Sequence, residues 1–253
     1  MSKLAALLRR VGRSEPAPMG FATMAGRAKN PEIILGVRIE KLDLDAVKAA
    51  AKAGAKLILL NDGDLEKGAA KIQAVTSATD LPCGLSVAKP VTGVAATARD
   101  AGLDFLHIED DNAPATILLD EEIGYLFSVA EDLSDTALRV LESTPFDALV
   151  VDGITQPLSI RQQLQLRRIS AFAHKPLFLQ FSDGLTSEEL ECLRDSGVGA
   201  MLLDGPDAAK RLSAARATID AMRPRRRRRN EREASPTLPS AGRGGEDDDD
   251  EDD

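Results

Sequence analysis

The sequence predicts an α/β protein folded as one closed barrel of eight parallel strands, each followed by a helix, and three observations carry that prediction. Short apolar runs alternate with helical patterns along most of the chain, four of those runs align with one another without gaps, and polar residues able to do chemistry appear only where the runs stop. Strands that alternate with helices pair in parallel through right-handed crossovers. Eight such units in about 190 residues suit a (β/α)8, or TIM, barrel; a doubly wound open sheet is the alternative.

The segment Pro82 to Asp111, PCGLSVAKPVTGVAATARDAGLDFLHIEDD, shows one complete unit. A strand over Gly84 to Ala88 ends at Lys89-Pro90, a helix covers Thr92 to Ala101, and Gly102 breaks it before Phe105 to Ile108. By the same reading strands fall at Ile33 to Ile39, Leu57 to Leu60, Gly84 to Ala88, Phe105 to Ile108, Tyr125 to Val129, Ala148 to Val151, Leu177 to Phe181 and Ala200 to Leu203. Helices fall at Leu44 to Ala53, Leu65 to Ser77, Thr92 to Ala101, Asp135 to Leu141, Ile160 to Ala173, Ser187 to Ser196 and Ala208 to Met222. Between the fourth and fifth strands, Pro114 to Glu122 leaves room for about two helical turns, so that crossover is short or irregular.

The boundaries follow. Residues 1–30 are a helix and loop, 31–222 the barrel, and 223–253 a tail. In the first segment Leu4, Leu7, Leu8 and Val11 share one helical face. This run is too short for a secretory signal. It either packs on the body, closing the bottom of the barrel, or serves as a membrane-surface or partner helix.

The even strands repeat visibly. Ala53 to Asp62, Ala101 to Asp110, Thr144 to Gly153 and Ser196 to Gly205 align, and their ninth column holds Asn61, Glu109, Asp152 and Asp204. Their sixth and eighth columns are uniformly apolar, as a helix-facing side requires, so the fifth, seventh and ninth face the barrel axis. Asn61, Glu109, Asp152 and Asp204 then form the uppermost layer at the C-terminal mouth, with His107 one layer below Glu109. The odd strands, aligned from Pro31, Pro82, Gly124 and Pro176, carry Arg38, Lys89, Glu131 and Asp183 seven residues on. Their alternation points Leu35, Ser86, Ser128 and Gln180 inward and keeps Lys89 out of the barrel unless the strand end bulges.

Three converging carboxylates repel, and a divalent cation, a shared proton or a cationic partner relieves the repulsion. The first choice makes Glu109, Asp152 and Asp204 metal ligands; oxygen donors suit Mg²⁺ or Mn²⁺, which would stabilise an enolate. Lys89, His107, Glu109 and Asp152 are then the candidate catalytic groups, with Lys89 or His107 as proton carrier. The plainer readings are strand-end acids that cap helices or pair with bases, a solvated Lys89, a core His107 with satisfied nitrogens, and a loop His174.

Phosphate on this fold sits at the loops after strands seven and eight, here Ser182 to Ser187 and Asp204 to Asp207. Asp183, Asp204 and Asp207 would repel it, and a flavin phosphate meets the same objection, so no flavin is expected. Thr186 with Glu189 is instead a capping box for the seventh helix.

Gly84-Leu-Ser-Val87 followed by Ala101-Gly-Leu-Asp-Phe105 resembles the PVGV…AGADFV pattern of flavin- and phosphate-binding TIM barrels, such as nitronate monooxygenases and the indole-glycerol-phosphate synthase group. The likeness covers about 30 residues. It implies a barrel, and in the synthase group it would make Lys89 catalytic. The glycine-rich phosphate loops of both families are missing.

Composition bounds the partners. The net charge is −9; 223–253 hold eight Arg and ten acidic residues, leaving a body of 24 basic and 31 acidic residues that repels polyanions. Cys83 and Cys192 form no CxxC pair and fit a reducing, cytoplasmic compartment. No run reaches the roughly 18 apolar residues of a membrane span. The tail, with Arg225 to Arg229 and the acidic block Glu246 to Asp253, has too few apolar residues to fold and is expected to be disordered. It would solubilise the chain or dock weakly to nucleic acid or protein. Two functions stay open: a metal-assisted lyase or isomerase acting on a small oxygenated metabolite, or a non-catalytic barrel that works as a scaffold through its N-terminal helix and tail.

Overall fold

A computed structural model describes residues 2–11, 33–61, 65–130, 132–181, 184–204 and 207–223. The strands are β1 (Ile34–Ile39), β2 (Leu57–Leu60), β3 (Cys83–Val87), β4 (Phe105–Ile108), β5 (Gly124–Ser128), β6 (Ala148–Val151), β7 (Leu177–Phe181) and β8 (Val198–Leu203). They close into a barrel in sequence order, with β8 pairing in parallel to β1. Closure excludes the open doubly wound sheet. The helices are α1 (Lys3–Leu8), α2 (Leu44–Ala53), α3 (Leu65–Thr76), α4 (Val94–Asp100), α5 (Asp135–Ser143), α6 (Ile160–Ala173), α7 (Ser187–Arg194) and α8 (Ala208–Asp220). Between β4 and β5 the crossover is a 3-10 helix, η1 (Ala115–Leu119), as the short spacing required. Among the described residues no helix is long and apolar enough to cross a membrane. The tail from Pro224 lies outside the described residues.

Strand alternation divides the core in two. Leu57, Leu59, Phe105, Ala148, Val150, Ala200 and Leu202 meet inside the barrel. Their neighbours Ile58, Leu60, Leu106, Leu149, Val151, Met201 and Leu203 pack between sheet and helices. This is the division expected from the even columns. The first strand departs from expectation: Ile34 belongs to the inner cluster, whereas Leu35, Val37 and Ile39 belong to the outer one. Gly36 therefore faces the axis, where an added Cβ would lie 2.6 Å from Leu57 Cδ1 and 2.9 Å from Leu202 Cδ2. Counting β1 from Pro31 had set it one residue out of phase, and a one-residue slip turns every side chain to the other face. Gly84 is the second small position, made necessary by the Phe105 ring lying over it. Glycines on β1 and β3 let large side chains from β2, β4 and β8 fill the axis at close packing.

The bottom of the barrel is closed by α1. Leu4 is fully buried in the inner cluster, and Leu7, Leu8 and Val11 pack against it. Asp104, just before β4, accepts from the backbone N–H of Lys3 at 2.6 Å and of Leu4 at 2.7 Å, and Ser2 caps the helix by accepting from Ala5 N–H at 3.1 Å. The apolar face that could have met a membrane or partner is thus occupied. On the outside, capping boxes start α6 (Ser159, Gln162) and α7 (Thr186, Glu189). His174 ends α6 in the left-handed conformation and lies 3.4 Å from Glu142, on the surface as expected.

Candidate functional site

At the C-terminal ends of the strands the polar side chains divide into two groups. One gathers around Arg38, which the corrected phase of β1 turns into the mouth. Its Nη1 donates to Gln180 on β7, and its Nη2 donates to Asn61 at the end of β2 at 2.5 Å. Its Nε lies 3.7 Å from Glu40, whose other oxygen accepts from Asn61 Nδ2 at 2.9 Å. Arg38 Nε and Asp204 Oδ1 are both buried and make no hydrogen bond.

At the two acids that follow β6 and β8 the guanidinium acts against burial. Burial pushes the Asp152 carboxyl above the usual carboxylate range, opposed by Arg38 and reinforced by Glu109. Burial likewise raises Asp204, with Arg38 and Arg211 pulling it down and Glu40 and Asp152 pushing it up. Folding therefore favours the protonated form of each, so their stabilising contribution is full below the ordinary carboxylate range and is lost as pH rises through the folded-state value. Asp152→Asn and Asp204→Asn, which mimic the protonated form, are expected to raise the thermal midpoint near pH 7 by a few degrees and to leave it unchanged near pH 3. Thermal unfolding across this range checks it, and a lower midpoint for both variants at neutral pH would contradict it.

The second group follows β3, β4 and β5. Ser86 Oγ donates to Glu109 Oε1 and lies 2.9 Å from His107 Nδ1, while His107 Nε2 lies 2.8 Å from Ser128 Oγ. His107 is 1% exposed, and burial pushes its pKa down to about 4, with Glu109 opposing and Arg38 assisting. The ring is neutral at physiological pH, with both nitrogens satisfied.

The expected site residues are thus only partly united. Asn61, Asp152 and Asp204 share the Arg38 environment, while Glu109 with His107 belongs to the serine group. Lys89 is exposed in the loop after β3, and its charge is felt at Asp110. Among the described residues no group of three or more His, Cys, Asp or Glu is arranged to hold a metal ion. Arg38 is the cation whose charge is felt at both Asp152 and Asp204. Nothing placed Arg38 in the sequence except Gly36, whose missing side chain marks an inward position. Glu131 and, in the β7 and β8 loops, Ser182, Asp183, Gly205 and Pro206 lie outside the described residues. Cys83 is buried, and burial pushes its thiol up to about 11, whereas Cys192 is only partly buried. A surface groove between α4 and η1, lined by Arg99, Leu119 and Asp120 among others, lies in the outer helical layer apart from these groups.

A closed barrel of eight parallel strands with its polar groups at the C-terminal mouth defines the (β/α)8 class. The sequence matches no family model and no curated protein. Among solved structures the chain is similar to a mutant tryptophan synthase alpha-subunit from Pyrococcus furiosus, with a TM-score of 0.60 at 13% identity over 75% of this chain and 98% of that one. It is also similar to tryptophan synthase from M. tuberculosis, with a TM-score of 0.57 at 12% identity over 75% and 92% of the two chains. At such identities the likeness shows the fold alone. The barrel implied by the Gly84 to Phe105 resemblance stands, and no particular family follows from it.

Proposed function

We propose that the mouth is an acid–base site of lyase or isomerase type for a small oxygenated metabolite, with Arg38 holding the oxygen that gains negative charge. The observation that supports this is the partly buried Arg38 guanidinium set near two carboxyls, exposed Asp152 and partly buried Asp204, whose pKa values burial raises and Arg38 lowers. An environment that favours the protonated form suits a carboxyl to general acid as well as general base work. A guanidinium beside it stabilises an enolate or carboxylate oxygen without reorganising. Together they suit bond cleavage or a proton shift next to a carbonyl. Asp152, at the strand end and open to solvent, is the proton carrier, and Asp204, with its unbonded Oδ1, is the second acid. No step requires the metal expected from the sequence.

The test is thermal unfolding of the full chain with millimolar 2-oxo and β-hydroxy carboxylic acids, beside Arg38→Met and Asp152→Asn. A ligand of the native state raises the midpoint by mass action. The expected result is a rise for some members that disappears in Arg38→Met, with turnover of those members, followed by proton NMR, lost in Asp152→Asn. If none shifts the midpoint, the second reading leads: a non-catalytic barrel whose mouth is already satisfied by the Arg38 bonds to Gln180 and Asn61. That reading has lost the N-terminal helix as a docking element, because α1 is built into the barrel.

A further inference from the structure

The serine and histidine group has a definite hydrogen-bond direction. A serine hydroxyl has one proton to give, and Ser86 gives its proton to Glu109. Towards His107 Nδ1, 2.9 Å away, Ser86 can then only accept, so Nδ1 carries the proton of the neutral ring. Nε2 must accept, and the donor 2.8 Å from it is Ser128 Oγ. The four groups read in one direction: Ser128 to His107 to Ser86 to Glu109. A second state, with Glu109 protonated and every bond reversed, satisfies the same geometry.

The burial pattern is that of a conductor rather than a core cluster. The middle of the chain is dry, with His107 at 1% and Ser86 at 8% exposure. Both ends reach the mouth: Ser128 is half-buried at the last position of β5, and the Glu109 side chain is 37% exposed. A histidine kept only for packing requires two partners but does not require that both ends of its chain be wet. The dry middle also explains how a weakly basic ring can serve. Accepting a proton at Nε2 while releasing one from Nδ1 exchanges one neutral tautomer for the other, and imidazolium never forms.

We propose that Ser128, His107, Ser86 and Glu109 form a proton relay, and that Ser128 Oγ is the catalytic group that takes the proton of a substrate hydroxyl. This rests on the acid–base reading of the mouth and narrows the substrate to a compound with a hydroxyl beside or one carbon beyond its carbonyl. The balance is simple. The substrate O–H bond breaks and the Ser128 O–H bond is remade; the Ser128 proton passes to Nε2, the Nδ1 proton to Ser86, and the Ser86 proton to Glu109. The substrate is left as an alkoxide, ready to collapse to a carbonyl by C–C cleavage or hydride-free isomerisation, and Glu109 is left neutral.

The test uses the full chain and two probes. With imidazole-15N labelling, the chain gives signals from only two histidines, and His174→Gln assigns them. The expected signal from His107 is the neutral Nδ1–H tautomer, switching to Nε2–H in Ser86→Ala and retained in Ser86→Thr. The second probe is a phosphonofluoridate, which reads the same deprotonation: a P–O bond forms at Ser128, fluoride leaves, and the proton travels to Glu109. Ser128 is expected to be labelled, at a rate reduced on the order of tenfold or more in His107→Gln and Ser86→Ala and preserved in Ser86→Thr, with each variant's fold checked by its melting curve. An Nε2–H tautomer in the parent, an unlabelled Ser128, or equal rates in parent and Ser86→Ala each overturns the relay. A failed carboxylic-acid binding assay would instead remove the Arg38 reading and move neither of these measurements.

Discussion

Arg38→Met is expected to destabilise the folded chain by about 2–4 kcal/mol near pH 7, the range for losing two charge-assisted hydrogen bonds and leaving their acceptors unpaired. Methionine matches the length of the arginine stem and so leaves little cavity. The loss comes from Asn61 and Gln180, whose acceptors face a side chain with nothing to donate, and from Asp152 and Asp204, whose negative charge is no longer opposed. The last part has a pH signature with a definite sign. Arg38 lowers both carboxyl pKa values, so removing it moves the folded-state values still higher. Stability is then lost over a wider span as pH rises, and the cost is smaller near pH 4 than near pH 7. Urea unfolding of parent and variant at the two pH values checks this, with the slope against denaturant expected to stay constant. Adding Asp204→Asn to Arg38→Met should recover part of the neutral-pH loss. A penalty independent of pH, or a double variant no better than the single one, would show that Arg38 acts through its hydrogen bonds alone.

This residue also marks where the sequence ceased to be legible. The fold was readable because four segments repeat in register and their inner and outer columns differ in kind: Leu57, Phe105, Ala148 and Ala200 inside, Ile58, Leu106, Leu149 and Met201 outside. From that pattern the acids at the strand ends and His107 below Glu109 followed directly. β1 has no matching repeat, and Pro31 is not equivalent in phase to the residues that precede the other odd strands. The error of one residue hid Arg38 among the outward side chains and left the cationic partner of the acids without a name. The relay was hidden for a different reason. Ser86, His107 and Ser128 were each placed inward, but their meeting depends on the β3 to β4 register, which sets Ser86 opposite His107. Hydrogen-bond direction is then decided by Glu109, which no spacing rule expresses. The position of Lys89, in contrast, is readable by alternation alone, which keeps it out of the barrel, and the side chain is exposed after β3.

Closure of the barrel floor makes the other large prediction, Leu4→Ala, with an expected loss of about 2–5 kcal/mol. A six-residue helix has no stability of its own in water, so α1 exists through what it buries and what receives its N–H groups. Leu4 supplies the first, with no exposed surface in the inner cluster. Asp104 supplies the second, holding the N–H groups of Lys3 and Leu4 at 2.6 and 2.7 Å, where a carboxylate also meets the positive end of the helix. Both contacts serve one docking event, so they should not add. Asp104→Ala alone is expected to cost about 1–3 kcal/mol, the penalty for leaving the partly buried Leu4 N–H without its acceptor, and clearly less in a Leu4→Ala background, where the helix is already loosened. Denaturant unfolding of the four proteins closes the cycle, and hydrogen exchange at the N–H groups of Leu4 and Ala5 reads the helix directly. Additive losses would mean that Asp104 stabilises the start of β4 independently of α1. A coupled pair with fast exchange at those amides in either single variant would mean that the floor docks as a unit, a closure the barrel gains from ten residues at the start of the described chain.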